Sequence, residues 1–237
     1  MKRLTLTAIA TVVLCLVASA VPALEKRPID KVNTDELIKN TQTKVPSDER
    51  HVSIIWWVPP EFWEATFAKD PGMSEAGRKR MIAALKPYTL LAVLQADISD
   101  FGAFAFYDKA EVAKGLRIRY KPEDGEPRDL TPTQSASHDV KMLLGIMKPI
   151  LTAAMGNMGE NFHFFVLDDA DADGKRKVDP YDPGALEVRL EQRRAGAIST
   201  QLELPLNALY VPRKCPNGKD AHVSWKYCPW TGKKLPD

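Results

Sequence analysis

The sequence predicts an α+β fold: a largely antiparallel sheet with helices packed on a face, followed by a small ribbon-like hairpin. Three observations carry this expectation. Apolar residues alternate with period two in short segments, such as Leu186-Val188-Leu190 and Ile198-Thr200-Leu202-Leu204. One long stripe at helical spacing joins Val140, Leu143, Leu144, Met147, Leu151 and Ala154. The elements run strand, helices, hairpin, strand, long helix and three strands, without the steady βα alternation of a doubly wound sheet.

The first element is an export signal. Lys2 and Arg3 precede an apolar run from Leu4 to Val17, and Ala18-Ser19-Ala20 has the small-x-small pattern of a cleavage site, with Val21-Pro22-Ala23 as a second. The run is shorter than the roughly 20 residues that a spanning helix needs, and no second long apolar stretch follows. Lipidation at Cys15 is disfavoured because Leu14 stands where a small residue belongs. The expectation is a signal peptide over 1–20 and export to the periplasm or beyond, with no membrane span after cleavage. Loss of Lys2 and Arg3 brings Lys+Arg from 33 to 31, level with the 31 Asp+Glu. A formally neutral chain argues against a nucleic-acid binder, which normally carries a clustered basic excess.

Residues 21–50 are polar and contain Pro28 and Pro46, which predicts a linker or loosely packed arm. Within it only 33–40 looks helical, with Asn33 as cap and Glu36 three residues on. The α+β domain is expected over 51–211. Ile54-Ile55-Trp56-Trp57-Val58 is apolar on both faces and suits a strand covered on both sides. Pro59-Pro60 ends it and opens a helix, because the first helical turn has no use for the missing N–H groups. Ser74 caps a second helix to Leu85. Then come a hairpin from 89–98 to 102–107, a helical turn at 109–114 and a strand at 116–120.

The longest helix is placed between Thr131 and Met155. Thr131-Pro132-Thr133-Gln134 reads as a capping box, and Ser137 is the alternative cap. Pro149 removes one backbone bond inside it. Met142, Met147, Met155 and Met158 suit core packing, with an adaptable binding face as the alternative. A strand at 161–167 puts Phe162, Phe164 and Val166 on one side and His163, Phe165 and Leu167 on the other.

Two segments carry candidate chemistry. Asp169-Ala170-Asp171-Ala172-Asp173-Gly174 matches the start of a calcium loop, in which Asp169, Asp171 and Asp173 aim at one hard cation and Gly174 allows the turn. Pro180 stands where a bidentate Glu is expected, with Asp179 and Asp182 nearby. The plain alternative is an acidic turn balanced by Lys175, Arg176 and Lys177. His51, His138, His163 and His222 show no metal-ligand spacing, and nucleophile and phosphate-loop motifs are absent. The expected function is therefore non-enzymatic binding of a protein or small molecule, or a place in an envelope assembly. The alternative is a hydrolase built on the acidic loop, with or without a metal ion.

The second segment spans 212–237. Cys215-Pro216-Asn217-Gly218-Lys219 and Cys228-Pro229-Trp230-Thr231-Gly232-Lys233 together resemble a zinc ribbon made of two CPxCG knuckles. In that family each knuckle supplies two thiolates to a tetrahedral zinc. Here each keeps one Cys, and Thr231 stands where a ligand Cys belongs. Two thiolates are too few for structural zinc unless His222 or Asp220 joins them, and Cys-x-x-Cys redox spacing is absent. In an oxidising compartment the expected outcome is a disulfide between Cys215 and Cys228. The body, at Trp56-Trp57-Val58-Pro59, Glu61-Phe62-Trp63, Met147-Lys148-Pro149 and 156–165, resembles exported bacterial proteins without assigned activity, which implies a shared fold and no chemistry.

Overall fold

The computed structural model describes residues 24–171 and 173–235, so the expected signal peptide lies outside the described residues. The described strands are Gln42–Lys44 (β1), His51–Val58 (β2), Tyr88–Ile98 (β3), Phe104–Phe106 (β4), Arg117–Pro122 (β5), Arg128–Leu130 (β6), His163–Asp168 (β7), Gly184–Gln192 (β8), Gly196–Leu204 (β9), Arg213–Lys214 (β10) and Asp220–Ala221 (β11). The α-helices are Thr34–Thr41 (α1), Pro60–Ala68 (α2), Glu75–Leu85 (α3), Lys109–Gly115 (α4), His138–Met155 (α5) and Asn157–Glu160 (α6). All named strand pairs are antiparallel, and the fold class is the α+β that the sequence predicts.

The long apolar strand β3 organises the first sheet. One side pairs with β2, which continues to β1; the other pairs with β4 near its C-terminal end and with β7 along the rest. Double-sided cover explains why β2 and β3 read as continuous apolar runs. Trp56, Trp57, Phe62 and Trp63 are all buried, and the Trp57 indole N–H donates to Thr89 Oγ1 at 2.6 Å. A second sheet runs β6-β5-β8-β9. Leu186, Val188 and Leu190 of β8 belong to the same buried cluster as Ile55, Leu91 and Val93. The sheets therefore share one core.

Two expectations are corrected. Residues 24–50 are not a loosely packed arm: Val32, Leu37 and Val45 are fully buried in the common core. Arg27 N–H donates to Leu209 O at 2.8 Å, and β1 adds to the sheet edge. Three apolar residues spaced through a polar stretch anchor it, and the buried Thr41 hydroxyl is satisfied by the Leu37 carbonyl at 2.9 Å. The long helix begins at His138 rather than at Thr131, with Ser137 Oγ accepting from Val140 N–H at 3.3 Å. Pro132 instead bridges Leu167, and Thr133 N–H donates to Val166 O at 2.8 Å. Strand pairing against the open side of β7 outweighs the local capping signal.

At the far end of α5, α6 folds back closely. A Cβ on Gly159 would lie 1.9 Å from Leu151 O, so only glycine permits this approach. The C-terminal ribbon holds two related turns, the second one residue longer. Cys215 N–H donates to Lys219 O and Gly218 N–H to Cys215 O; Cys228 N–H donates to Lys233 O and Gly232 N–H to Cys228 O, all at 2.8 Å. Gly218 and Gly232 both have positive φ, as such turns require. The two knuckles enclose a small core of Cys215, Ala221, Cys228 and Leu235.

Candidate functional site

The acidic loop does not converge on a cation. Asp169 points inward and is fully buried. Its Oδ2 takes the Arg176 Nε–H at 3.2 Å and its Oδ1 the Val178 N–H at 2.8 Å. Arg176 also bridges Glu61 at 2.5 Å, tying the loop after β7 to α2. Burial raises the Asp169 carboxyl above its ordinary range, against the pull of Arg176 and the Val178 N–H. Asp171 Oδ1 accepts from the N–H groups of Asp173 at 3.0 Å and Lys175 at 2.8 Å, so it closes the turn on itself. Among the described residues no group of three His, Cys, Asp or Glu side chains is placed to hold a metal ion. The expected calcium set Asp169, Asp171 and Asp173 is thus corrected to a turn whose first carboxylate serves a buried ion cluster. A hollow of about 470 Å³ beside it is lined by Arg128, Lys175, Arg176 and Lys177 against Glu123, Asp124, Asp179 and Asp182, a balanced mixture that favours neither ion sign.

A second constellation needed the strand register to be seen. His51 and Ser53 are two apart on β2, hence on one face, and His51 pairs with Asp97 of β3. Ser53 Oγ lies 2.7 Å from His51 Nε2, and His51 Nδ1 lies 2.9 Å from Asp97 Oδ1. The carboxylate fixes the tautomer with the proton on Nδ1, so Ser53 donates to Nε2. This is the hydrogen-bond order of a serine hydrolase triad. Its setting differs, because Ser53 is 0% exposed and no substrate carbonyl reaches it. Asp97 also accepts from Tyr107 Oη at 3.1 Å, and Tyr107 Oη accepts from Arg193 N–H at 2.7 Å. The chain of bonds ties the first sheet to the β8–β9 turn and satisfies polar groups that burial would otherwise leave costly.

His163 Nε2–H donates to Tyr107 O at 2.7 Å, bridging the gap between β4 and β7 along β3. It shares the lining of one hollow with Glu160, while Asp168 stands at the other end of β7. In the ribbon, Cys215 and Cys228 meet at 2.8 Å as thiols rather than as a bonded pair. Burial and the neighbouring sulfur push the Cys215 thiol up to about 11. Burial acts the same way on Cys228. The Cys215 thiol, the Thr231 hydroxyl and the N–H groups of Trp230 and Thr231 outweigh it and bring Cys228 down to about 7. Thr231, at the position of a missing ligand, thus stabilises the remaining sulfur.

A groove lies between α5, α4 and β7. Two adjoining hollows of about 820 and 520 Å³ share Lys109, Leu144 and Phe164. Phe162, Phe164 and Leu144 give an apolar floor. Lys141 and Lys148, two helical turns apart, stand on the α5 side, and Lys109 on the α4 side, 5.6 Å over the Phe165 ring. Among the described residues none of the three lysines forms an ion pair; Glu160 is the one acid in the lining. Pro149 offers no N–H to the Gly145 carbonyl, and both line the groove. Outside it, α5 exposes Ile146 (54%) and Ile150 (61%). The core takes Val140, Leu143 and Met147, so the stripe read from the sequence accounts for only part of the apolar surface of α5.

The outer edge of β7 runs along this groove. Thr133 N–H reaches Val166 O from that side. Alternation turns the N–H and C=O of Phe164, two residues back, in the same direction. Among the described residues, only the 132–133 segment pairs with that edge. No helix of the described residues is long and apolar enough to cross a membrane. No protein family matches the chain, and no curated protein or solved structure does either.

Proposed function

We propose that the chain is an exported, non-enzymatic binding protein, and that its partner lies in the α5–β7 groove as an extended acidic protein segment. The observation that carries this reading is the set of three lysines without ion pairs around an aromatic floor, beside a strand edge that only the 132–133 segment pairs among the described residues. An added strand gains main-chain hydrogen bonds from the edge and specificity from alternate side chains. Acidic residues on such a strand meet Lys109, Lys141 and Lys148, while apolar ones cover Phe162 and Phe164. Export follows from the basic, apolar and small-residue pattern of 1–20.

The test uses a fluorescent ten-residue peptide of alternating Val and Glu, with Val-Lys and Val-Glu-Pro versions as controls. Anisotropy should show the Val-Glu peptide binding about tenfold or more tightly than either control, a difference of about 1.4 kcal/mol. The Lys141→Glu, Lys148→Glu double variant should abolish that preference. Equal affinity for the Val-Lys peptide would refute the reading. For the export part, N-terminal sequencing of protein from the extracytoplasmic fraction should begin at Val21.

A further inference from the structure

The ribbon carries a second surface, independent of the groove. Its own core is small and closed by Cys215, Ala221, Cys228 and Leu235. None of its tryptophans takes part in that core. Trp225 is 37% and Trp230 49% exposed, and their rings meet at 5.8 Å and 73°. His222 packs against Trp225 at 6.0 Å, and Lys219 Nζ lies 4.8 Å over the Trp230 ring. The remaining tryptophans, Trp56, Trp57 and Trp63, are all buried in the body. Indole rings left in water forgo a large burial gain, so a contiguous exposed pair marks a contact surface.

Charge narrows the ligand. From 212 to 235 the chain has six Lys and Arg residues against Asp220 alone. Lys214 pairs with Asp220, and Arg213 turns to the backbone carbonyls of Val223 and Trp225. Lys219, Lys226 and Lys233 are exposed and form no ion pair among the described residues. Basic residues thus outnumber acidic ones six to one over 212–235, and one of them, Lys219, lies over the Trp230 ring. The 73° corner does not offer the parallel shelves on which successive nucleobases stack. It suits a bulky, non-planar ring, whose C–H face lies on one indole while its edge abuts the other.

We infer that the ribbon binds an anionic polysaccharide, with Trp225 and Trp230 holding a sugar ring and Lys219, Lys226 and Lys233 meeting its carboxylates or sulfates. The test takes the whole protein and three polymers: polygalacturonate, its methyl ester and single-stranded DNA. Because the other three tryptophans are buried, acrylamide quenching of fluorescence reports mainly on Trp225 and Trp230. Polygalacturonate should protect them from the quencher. The methyl ester should bind at least about fivefold more weakly, and Trp225→Ala and Trp230→Ala should each weaken retention on immobilised polygalacturonate about fivefold or more. Each variant should keep the wild-type melting temperature of the body and its affinity for the Val-Glu peptide, which separates loss of this surface from loss of fold or groove. Absence of protection, equal binding of the ester, unchanged retention of the tryptophan variants, or tighter binding of DNA would each overturn the inference.

Discussion

Glu61, Asp169 and Arg176 place two carboxylates and one guanidinium in the body with little access to water. Removing the cation leaves two like charges buried and unpaired, which costs far more than the ion pair contributes. Arg176→Ala should therefore destabilise the protein by roughly 3 kcal/mol at neutral pH, read from urea unfolding. Asp169 has a raised carboxyl pKa in the fold, so between its ordinary value and the raised one the folded state holds more protons than the unfolded state. Stability from this group is greatest at low pH and falls as pH rises through that window. Part of the Arg176→Ala loss should accordingly be recovered on going from pH 7 towards pH 4.5; an undiminished loss would contradict this assignment. Tyr181 and Tyr210 behave alike at the other extreme. Burial, together with Glu61, Glu64 and Asp179 near Tyr181 and with Asp179 and Asp182 near Tyr210, pushes both phenols up to about 12. Tyr210 Oη donates to Tyr181 O at 2.8 Å, a bond that ionisation ends. Their contribution is intact below pH 10 and is lost as pH rises towards 12. Absorbance at 295 nm should show Tyr181 and Tyr210 among the phenols that titrate late, together with unfolding.

Among the elements, the ribbon depends on its two sulfurs most. We propose that they are bonded in the exported protein, since the knuckles already bring Cys215 and Cys228 together in a buried core. Closing this 14-residue loop is worth about 3 kcal/mol to the ribbon in the chain-entropy model. Mass measurement without reductant should give a two-hydrogen deficit. Cys215→Ser should loosen the ribbon, seen as faster amide exchange over 213–235, while the body melts unchanged. A full hydrogen complement in protein taken from the extracytoplasmic fraction would sink the proposal. The sequence made some elements plain and hid others. Strands β2, β3, β8 and β9 and the cap of α3 were legible because their signals are local: alternation, Pro-Pro and Ser74. The start of α5 was not, because a strand partner 33 residues away claims Thr133. The DxDxDG stretch misled for a similar reason: its first Asp answers to Arg176 and Glu61, and the latter lies on a helix more than 100 residues distant. His51, Ser53 and Asp97 could be connected only through the β2–β3 register.

At the scale of the whole molecule, two sheets share one core and the N-terminal stretch is bound into it, leaving two outward features unexplained by stability: the lysine-rimmed groove and the tryptophan corner. The groove combines residues from α4, α5 and β7, none of which signals binding alone. Its lysines look like ordinary solvated charges in sequence, and only their place in one lining with Phe162 and Phe164 distinguishes them. The free side of β7 completes the site because it can accept main-chain partners as well as side chains. That edge gives the most direct measurement of the central claim. Amide hydrogen exchange, resolved by residue, should slow at Phe164 when the Val-Glu peptide is added, as its outward N–H acquires a carbonyl acceptor. Saturating binding of the peptide with no added protection at Phe164 would contradict the account.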